Sequence, residues 1–490
     1  MADEVNNINK INNIDKNNDI NKINVRNLAL DVVVDVMDKG DYSDKAIHGA
    51  LEKHGDLEKR DRAFFTRLCQ GTIEYAVQSD YIINLFSKTK VRKMKPVIRG
   101  ILRMGVYQIM HMDSVPDSAV CNEAVKLANK RKFTNLKGFV NGVLRNISRE
   151  KDNIKFPEKN NGFCKYASVK YSMPEWIVEY IRSRYGEKRA ENIFEGFLSS
   201  DKGISVRCNI SKSTPDEIFM MLESQGMQVK KSELFGYAFN IDGFDKITDI
   251  DAFNNGYIQV QDQSSILAGH VYSVKGDENI IDICAAPGGK TLHAADRLNA
   301  AEKSGIGNII SCDLTEQKVK LISDNIKRNG FRNISVVKND ALVYKKEWEN
   351  TADIIIADLP CSGLGVIGKK CDIKYKTKRE DIASLSKIQK EILKNVSRYL
   401  KKGGQLIYST CTIAKEENED NAEWILENLP FEKADISKRM SNLDFDVKYK
   451  GHHNDELGVL GNSMNDMSDK LEKAITDLKS ANIELQKDIE

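Results

Sequence analysis

The chain has 490 residues, of which 30% are charged and 41% hydrophobic, with a formal net charge of +2. That length predicts two or three domains with buried cores, and the composition excludes a collagenous, disordered or disulfide-dense chain. A charge so near zero gives no whole-chain signature of nucleic-acid binding, so any such surface has to be local.

Residues 1–24 are a low-complexity tail in which nine positions are Asn. A segment of this kind buries too little to offset its ordering entropy and is expected to be disordered. It lacks the apolar core of a secretory signal, and no run of about 18 apolar residues follows anywhere, which predicts no membrane span and a cytoplasmic location. Residues 25–148 repeat helical apolar spacing, beginning with Leu28, Leu30, Val32, Val33, Val36 and Met37 and continuing through Pro96–Ile109. This predicts a compact all-α domain. Arg92, Lys93, Lys95, Arg99, Arg103, Lys130, Arg131, Lys132, Lys137 and Arg145 cluster there with few acids between them, a pattern that favours a phosphate-facing surface over ordinary solvated helix faces.

Residues 149–165 read as a polar linker and 166–275 as a small α+β subdomain. From 276 to 440 strand and helix patterns alternate, which predicts a mainly parallel sheet covered by helices on both faces. The first strand, Ile280–Cys284, runs into Ala285-Ala286-Pro287-Gly288-Gly289-Lys290. This turn of small residues lets the backbone approach a ligand closely, yet it has neither Walker A nor GxGxxG spacing. Later strands end in Asp313, Asn339-Asp340 and Asp358. Acids at successive strand C-termini line the crevice where such sheets bind ligands, and one after the second strand suits ribose hydroxyls.

The nine cysteines are scattered, with no CxxC pair, so neither a disulfide framework nor a metal site is expected. Cys284 and Cys312 are assigned to strands, where packing is the expected role. Cys361 and Cys411 fall past strand ends, where a thiol can serve as a nucleophile if its thiolate is accessible. After about 442, Leu457, Leu460, Met464, Met467, Leu471, Ala474, Leu478, Ala481 and Leu485 recur at alternating spacings of three and four. That predicts a coiled-coil helix, and with it an option for self-association.

Cys-Ala-Ala-Pro-Gly-Gly-Lys (284–290), Asp-Leu-Pro-Cys-Ser-Gly (358–363) and Ser-Thr-Cys-Thr (409–412) together resemble the RNA 5-methylcytosine methyltransferases that use S-adenosylmethionine. The helical segment is similar to NusB-type RNA-binding domains, and the combination resembles the small-subunit ribosomal RNA methyltransferase B (Sun/Fmu) group of that family, over roughly residues 25–430. The resemblance implies a Rossmann-like methyltransferase domain behind a NusB-like domain, with S-adenosylmethionine as cofactor and small-subunit ribosomal RNA as partner. It implies that residues 284–290 form the cofactor loop, that Asp313 holds the ribose, and that Asp340 sits by the adenine. Asp358 would lie between the methionine end and the target base. Cys411 would be the nucleophile that adds to cytosine C6, and Cys361 would assist proton removal and release. The family's terminal strand with an Asp-Gly-Phe-Phe-like segment is not evident after Pro430. Residues 441–490 instead resemble a HAMP-type sensor-kinase linker, read as a fusion in preference to a native dimerisation helix. The alternative reading is a catalytically impaired RNA-binding or assembly protein.

Overall fold

The computed structural model describes residues 24–199, 203–301 and 307–436. The low-complexity segment before Asn24, the heptad run and the region expected to hold a terminal strand lie outside the described residues. The chain divides into two compact units.

The first unit holds residues up to Glu191 together with Lys369–Lys376. Its core forms around the helix Pro96–His111, whose residues from Ile98 to Ile109 are almost all buried. Pro96 stands in the first turn, where its missing N–H costs no hydrogen bond. Gly100 and Gly105 let neighbouring helices close onto this one. A Cβ at Gly105 would stand 2.6 Å from Leu144, and one at Gly100 would stand 2.8 Å from Leu30. Three of the basic residues grouped in the sequence prove to be internal ties. Arg103 is buried and grips Asp80 through two 2.7 Å bonds, Arg99 pairs with Asp38, and Arg131 pairs with Asp31 at 2.6 Å. Arg92, Lys93, Lys95, Lys130, Lys132, Lys137 and Arg145 remain exposed.

The segment Lys369–Lys376 enters this unit from far along the chain and finishes two of its helices. Asp372 accepts from the backbone N–H (3.2 Å) and hydroxyl (2.6 Å) of Ser43, the first residue of helix Ser43–Lys53. Lys374 is buried and donates at 2.7 Å to the carbonyl of Glu74, the last residue of helix Lys59–Glu74. An acid at a helix N-terminus and a cation at a C-terminus both complement the helix dipole. Burial lowers the Lys374 pKa to about 8 and raises that of Glu74 to about 7.

The second unit carries two sheets. The smaller is antiparallel, with strands β1 (Ile204–Cys208), β2 (Gln228–Lys231), β3 (Ala238–Asp242) and β4 (Ile258–Val260) in the order β2-β3-β1-β4. The larger is wholly parallel: β5 (Asn279–Asp282), β6 (Asn308–Asp313), β7 (Ile334–Lys338), β8 (Ala352–Asp358) and β9 (Leu400–Ser409), in the order β7-β6-β5-β8-β9. The order reverses between β5 and β8, which is where sheets of this kind leave a crevice beyond the strand C-termini. Ile280, Ile354 and Ile356 face one core, with Ala294 and Leu298 of helix Gly289–Ala300. Their neighbours Ile281, Ile355 and Ala357 face the other core, with Ile392, Leu393 and Ile425. Burial on both faces is why these strands read as continuous apolar runs. This is the expected Rossmann-like architecture. β5 closes at Asp282, however, so Cys284 belongs to the turn and is half-buried.

A buried ion pair fixes β1 to the first helix of the parallel sheet. Arg207 is fully buried and donates to Asp296 at 2.8 Å, while Asp296 also accepts from the backbone of Ile210 and Ser211 and from the Ser211 hydroxyl. Removing one member leaves the other charge buried and alone, which costs far more than the pair itself contributes. Asp296→Ala is therefore expected to destabilise this unit by roughly 3–5 kcal/mol, read as a lower urea midpoint. The apolar pair Arg207→Met with Asp296→Leu should recover only the part due to the stranded Arg207 charge, because the Ile210 and Ser211 N–H groups still lose their acceptor.

Candidate active site

The expected ligand turn and all three strand-end acids meet at the C-terminal edge of the parallel sheet. The turn leaves β5 after Asp282 and closes through Gly288, whose φ of 102° favours glycine. It is tied to the next strand by Ala285 N–H donating to the Cys312 carbonyl at 2.8 Å. Asp313 ties it again, accepting from Ala286 N–H at 3.0 Å and from Leu314 N–H at 2.8 Å, with Lys318 3.0 Å away. Below the turn, Thr291 donates to Asp282 at 2.6 Å and meets the Ser311 hydroxyl at 2.9 Å. Asp282 is fully buried with one oxygen unpartnered, and burial raises its pKa to about 7. In the sequence Asp282 falls inside the expected strand Ile280–Cys284, and no pattern there distinguishes it.

Asp340 is exposed, with one oxygen accepting from Leu342 N–H at 3.0 Å. Beside it Asn339 is buried, and both polar atoms of its amide lack a partner. Leu314, Leu342 and Val343 follow these acids and are about half exposed, at 55%, 48% and 58%. These apolar residues were not anticipated; their position directly after two strand-end acids was the available signal. Apolar surface beside free hydrogen-bonding groups is what a ring-bearing ligand requires.

Asp358 ends β8 and is anchored on both oxygens. Lys290 of the turn donates to one at 2.6 Å, and the Ser409 hydroxyl, at the end of β9, donates to the other at 2.9 Å. Three residues past Asp358 stands Cys361, and two past Ser409 stands Cys411. Their sulfurs lie 2.7 Å apart, and the Cys411 N–H donates to the Cys361 sulfur at 3.2 Å. The hydrogen bond between the thiols acts on them in opposite senses. It raises the pKa of Cys361, with burial adding to the effect, and it lowers that of Cys411, with Lys290 also favouring the thiolate. Cys411 is exposed while Cys361 is half-buried. The accessible sulfur is thus the one poised to ionise. Burial pushes the Cys284 thiol up to about 12 and raises Cys312 further, so both stay protonated and pack against the core, as expected of them.

Around the cysteines lies a polar layer that the sequence patterns did not reveal. Glu417, Gln389 and Asn421 are fully buried and linked to one another and to Tyr408. No group of three or more His, Cys, Asp or Glu suited to a metal ion occurs among the described residues.

The family model for 16S rRNA methyltransferase RsmB/F matches residues 270–455, and that of the NusB family matches residues 23–149. The chain is 34% identical over 420 residues to the probable ribosomal RNA small subunit methyltransferase B of Bacillus subtilis (strain 168), covering 84% of this chain and 90% of that protein. It is 31% identical over 397 residues to the ribosomal RNA small subunit methyltransferase B of Proteus mirabilis (strain HI4320), covering 81% and 89%. Among solved structures, the crystal structure of PH0851 shares 26% identity and a TM-score of 0.70, covering 84% of this chain and 91% of that one. With 34% identity to a relative of which nine-tenths is covered, the chain belongs to the ribosomal RNA small subunit methyltransferase B family.

Proposed function

We propose that the protein methylates C5 of a cytosine in small-subunit ribosomal RNA with S-adenosylmethionine as methyl donor, through a covalent adduct at C6. The observation that carries the reading is the Cys361–Cys411 pair, held beside Asp358 at the edge where the glycine turn opens. Cytosine C5 is a poor nucleophile until C6 carries an added group, and an accessible thiolate is the side chain suited to adding there. The retention of both cysteines, the turn and the strand-end acids favours catalysis over an impaired assembly factor, as does a family match that runs to residue 455.

The residues fit S-adenosylmethionine. Ala285–Lys290 would receive its amino-acid portion, Asp313 its ribose, and Asp340 with the unpartnered amide of Asn339 its adenine, whose ring would lie against Leu314, Leu342 and Val343. Bound there, the cofactor supplies an electrophilic methyl group. Cys411 forms a bond from its sulfur to C6, and the C5–C6 double bond is lost as C5 becomes enamine-like. Asp358 accepts a hydrogen bond from the ring amino group and orients the base, while the Lys290 cation paired with it offsets the negative charge that thiolate addition places on the ring. Cys361, its own proton released to solvent once Cys411 is a thioether, then takes the proton from methylated C5, the electron pair re-forms the C5–C6 bond, and the Cys411–C6 bond breaks to return Cys411 as thiolate. The target base has to leave its stack to be reached, which favours single-stranded or looped RNA. The NusB-like unit, with its exposed lysines and arginines, would supply backbone contacts. No described helix is long and apolar enough to cross a membrane, and work on ribosomal RNA would place the protein in the cytoplasm.

Incubation with small-subunit ribosomal RNA and methyl-labelled cofactor should place label on cytosine C5; intact protein that transfers none would overturn the reading. Cys361→Ala is expected to accumulate a denaturant-resistant protein–RNA adduct, whereas Cys411→Ala should form none. Cys361→Ala also removes the main cause of the lowered Cys411 pKa. The acid limb of its adduct-formation rate should therefore move to higher pH, because less thiolate is present at any given pH. Asp313→Ala should weaken S-adenosylmethionine binding measured by calorimetry and also lower the unfolding midpoint, because the Ala286 and Leu314 N–H groups lose their acceptor, whereas Asp313→Asn, which keeps one acceptor oxygen, should weaken binding with a smaller loss of stability.

A further inference from the structure

Glu417 is a carboxylate with no exposed surface and no ion pair among the described residues. An uncompensated buried acid is costly, and an amide or hydroxyl could fill the same space without that cost. Its hydrogen bonds show where it acts. Both oxygens accept from the backbone N–H of Ser362, at 2.9 and 3.3 Å, and one also accepts from Gln389 Nε2 at 3.0 Å. Gln389 Nε2 in turn donates to the Pro360 carbonyl at 2.8 Å. The residues on either side of Cys361 are thus both tied to Glu417, one directly and one through Gln389. Gln389 cannot rotate away, because its Oε1 accepts from Asn421 at 2.6 Å and from the Tyr408 hydroxyl at 3.2 Å.

The next residue does the same for the other cysteine. Asn418 accepts from the Thr410 hydroxyl at 2.5 Å and donates to the Thr412 carbonyl at 2.7 Å, so it brackets Cys411. The two turns are also joined to each other, Ser362 Oγ to Thr412 Oγ1, at 2.7 Å. Two consecutive residues therefore hold two turns whose cysteines are 50 positions apart in the chain.

We propose that Glu417 and Asn418 are positioning residues for the two-cysteine reaction, Glu417 setting Cys361 and Asn418 setting Cys411. Neither touches substrate in this scheme. Each acts through the turn it holds, and the two divide the reaction between them: Glu417 serves proton removal and release, Asn418 serves adduct formation. The proposal rests on the roles given above to Cys361 and Cys411.

The test measures three quantities on full-length protein with small-subunit ribosomal RNA: adduct formed, methyl transferred, and adduct released. Glu417→Ala should retain cofactor binding and still form the adduct, yet release it slowly. Turnover should fall roughly tenfold to a hundredfold, the scale expected of a misplaced reacting group, while the trapped fraction rises. Asn418→Ala should instead lower adduct formation without raising the trapped fraction. Glu417→Gln keeps the volume and one acceptor oxygen, and should release the adduct faster than Glu417→Ala; it also covers the case in which the alanine variant does not fold. Equal loss of formation and release in Glu417→Gln, or release as fast as in the parent protein, would overturn the assignment. Cys361→Ala run in parallel separates the two failures: if that variant traps no adduct, the cysteine roles are wrong, and if it traps adduct while the Glu417 variants do not, only the positioning role is.

Discussion

The carboxylate of Asp358 is the point on which the C-terminal edge of the parallel sheet depends. It belongs to β8, receives Lys290 from the turn after β5, and receives Ser409 from the end of β9. Three strand ends that are distant in sequence are therefore fixed around one acid. The strand order makes this feasible, since β5, β8 and β9 are consecutive neighbours across the point where the sheet reverses. Both cysteines leave the sheet within three residues of this junction. A displacement of Asp358 would move the floor of the glycine turn and both sulfurs together. The pair is partly shielded, with the side chains of Lys290 and Asp358 14% and 34% exposed, so it is less subject to salt screening than a surface contact.

Burying charge generally opposes stability unless the partners are well placed, and the chain does it repeatedly where direction matters. The solutions differ. Asp296 meets a cation and three further donors, which is a closed structural clamp. Asp282 and Glu417 meet only hydrogen-bond donors, and burial raises the pKa of each. The open solutions lie under the glycine turn and behind the cysteines, whereas the closed one lies on the side of the sheet that holds the small subdomain. Buried acids held by hydrogen bonds without a paired cation are a costly arrangement of the kind that preorganised sites carry.

The parallel sheet was legible because its strands are buried on both faces, so Ile280-Ile281 and Ile354-Ile355-Ile356 read as unbroken apolar runs. The helical region was legible for the complementary reason, one apolar stripe per helix. What local pattern could not carry was any tie between distant positions. Asp372 capping the helix at Ser43 spans 329 residues, and a short stretch rich in lysine gives no sign that Lys374 will be buried. Arg103 looks like its basic neighbours until Asp80 is found beside it. Glu417 sits in an acid-rich stretch, Glu416-Glu417-Asn418-Glu419-Asp420, which reads as an exposed helix start; only the fold reveals that one of these acids turns inward. The acids at the strand ends were visible in the sequence, but the apolar residues after them were not, since exposed leucines are individually unremarkable.

In the proposed reaction, two identical thiols have to behave differently and in a fixed order, and their contact supplies the means. Sulfurs this close titrate as a pair, so the first proton lost belongs to both. The hydrogen bond resolves the choice in favour of Cys411 as thiolate, because Cys361 then serves as donor and its own ionisation would place two negative sulfurs together. Cys361 is consequently a poor base while Cys411 is free. Once Cys411 has bonded to C6 it is a neutral thioether and a weak acceptor, and the interaction that held the proton on Cys361 is gone. Cys361 can then ionise and accept the C5 proton. The order of events follows from this change of charge on Cys411: the group that completes the reaction is restrained until the group that begins it has reacted. Such restraint works only while the sulfurs stay in contact, which requires the turns that carry them to be held to each other as firmly as Ser362, Thr412, Glu417 and Asn418 hold them here.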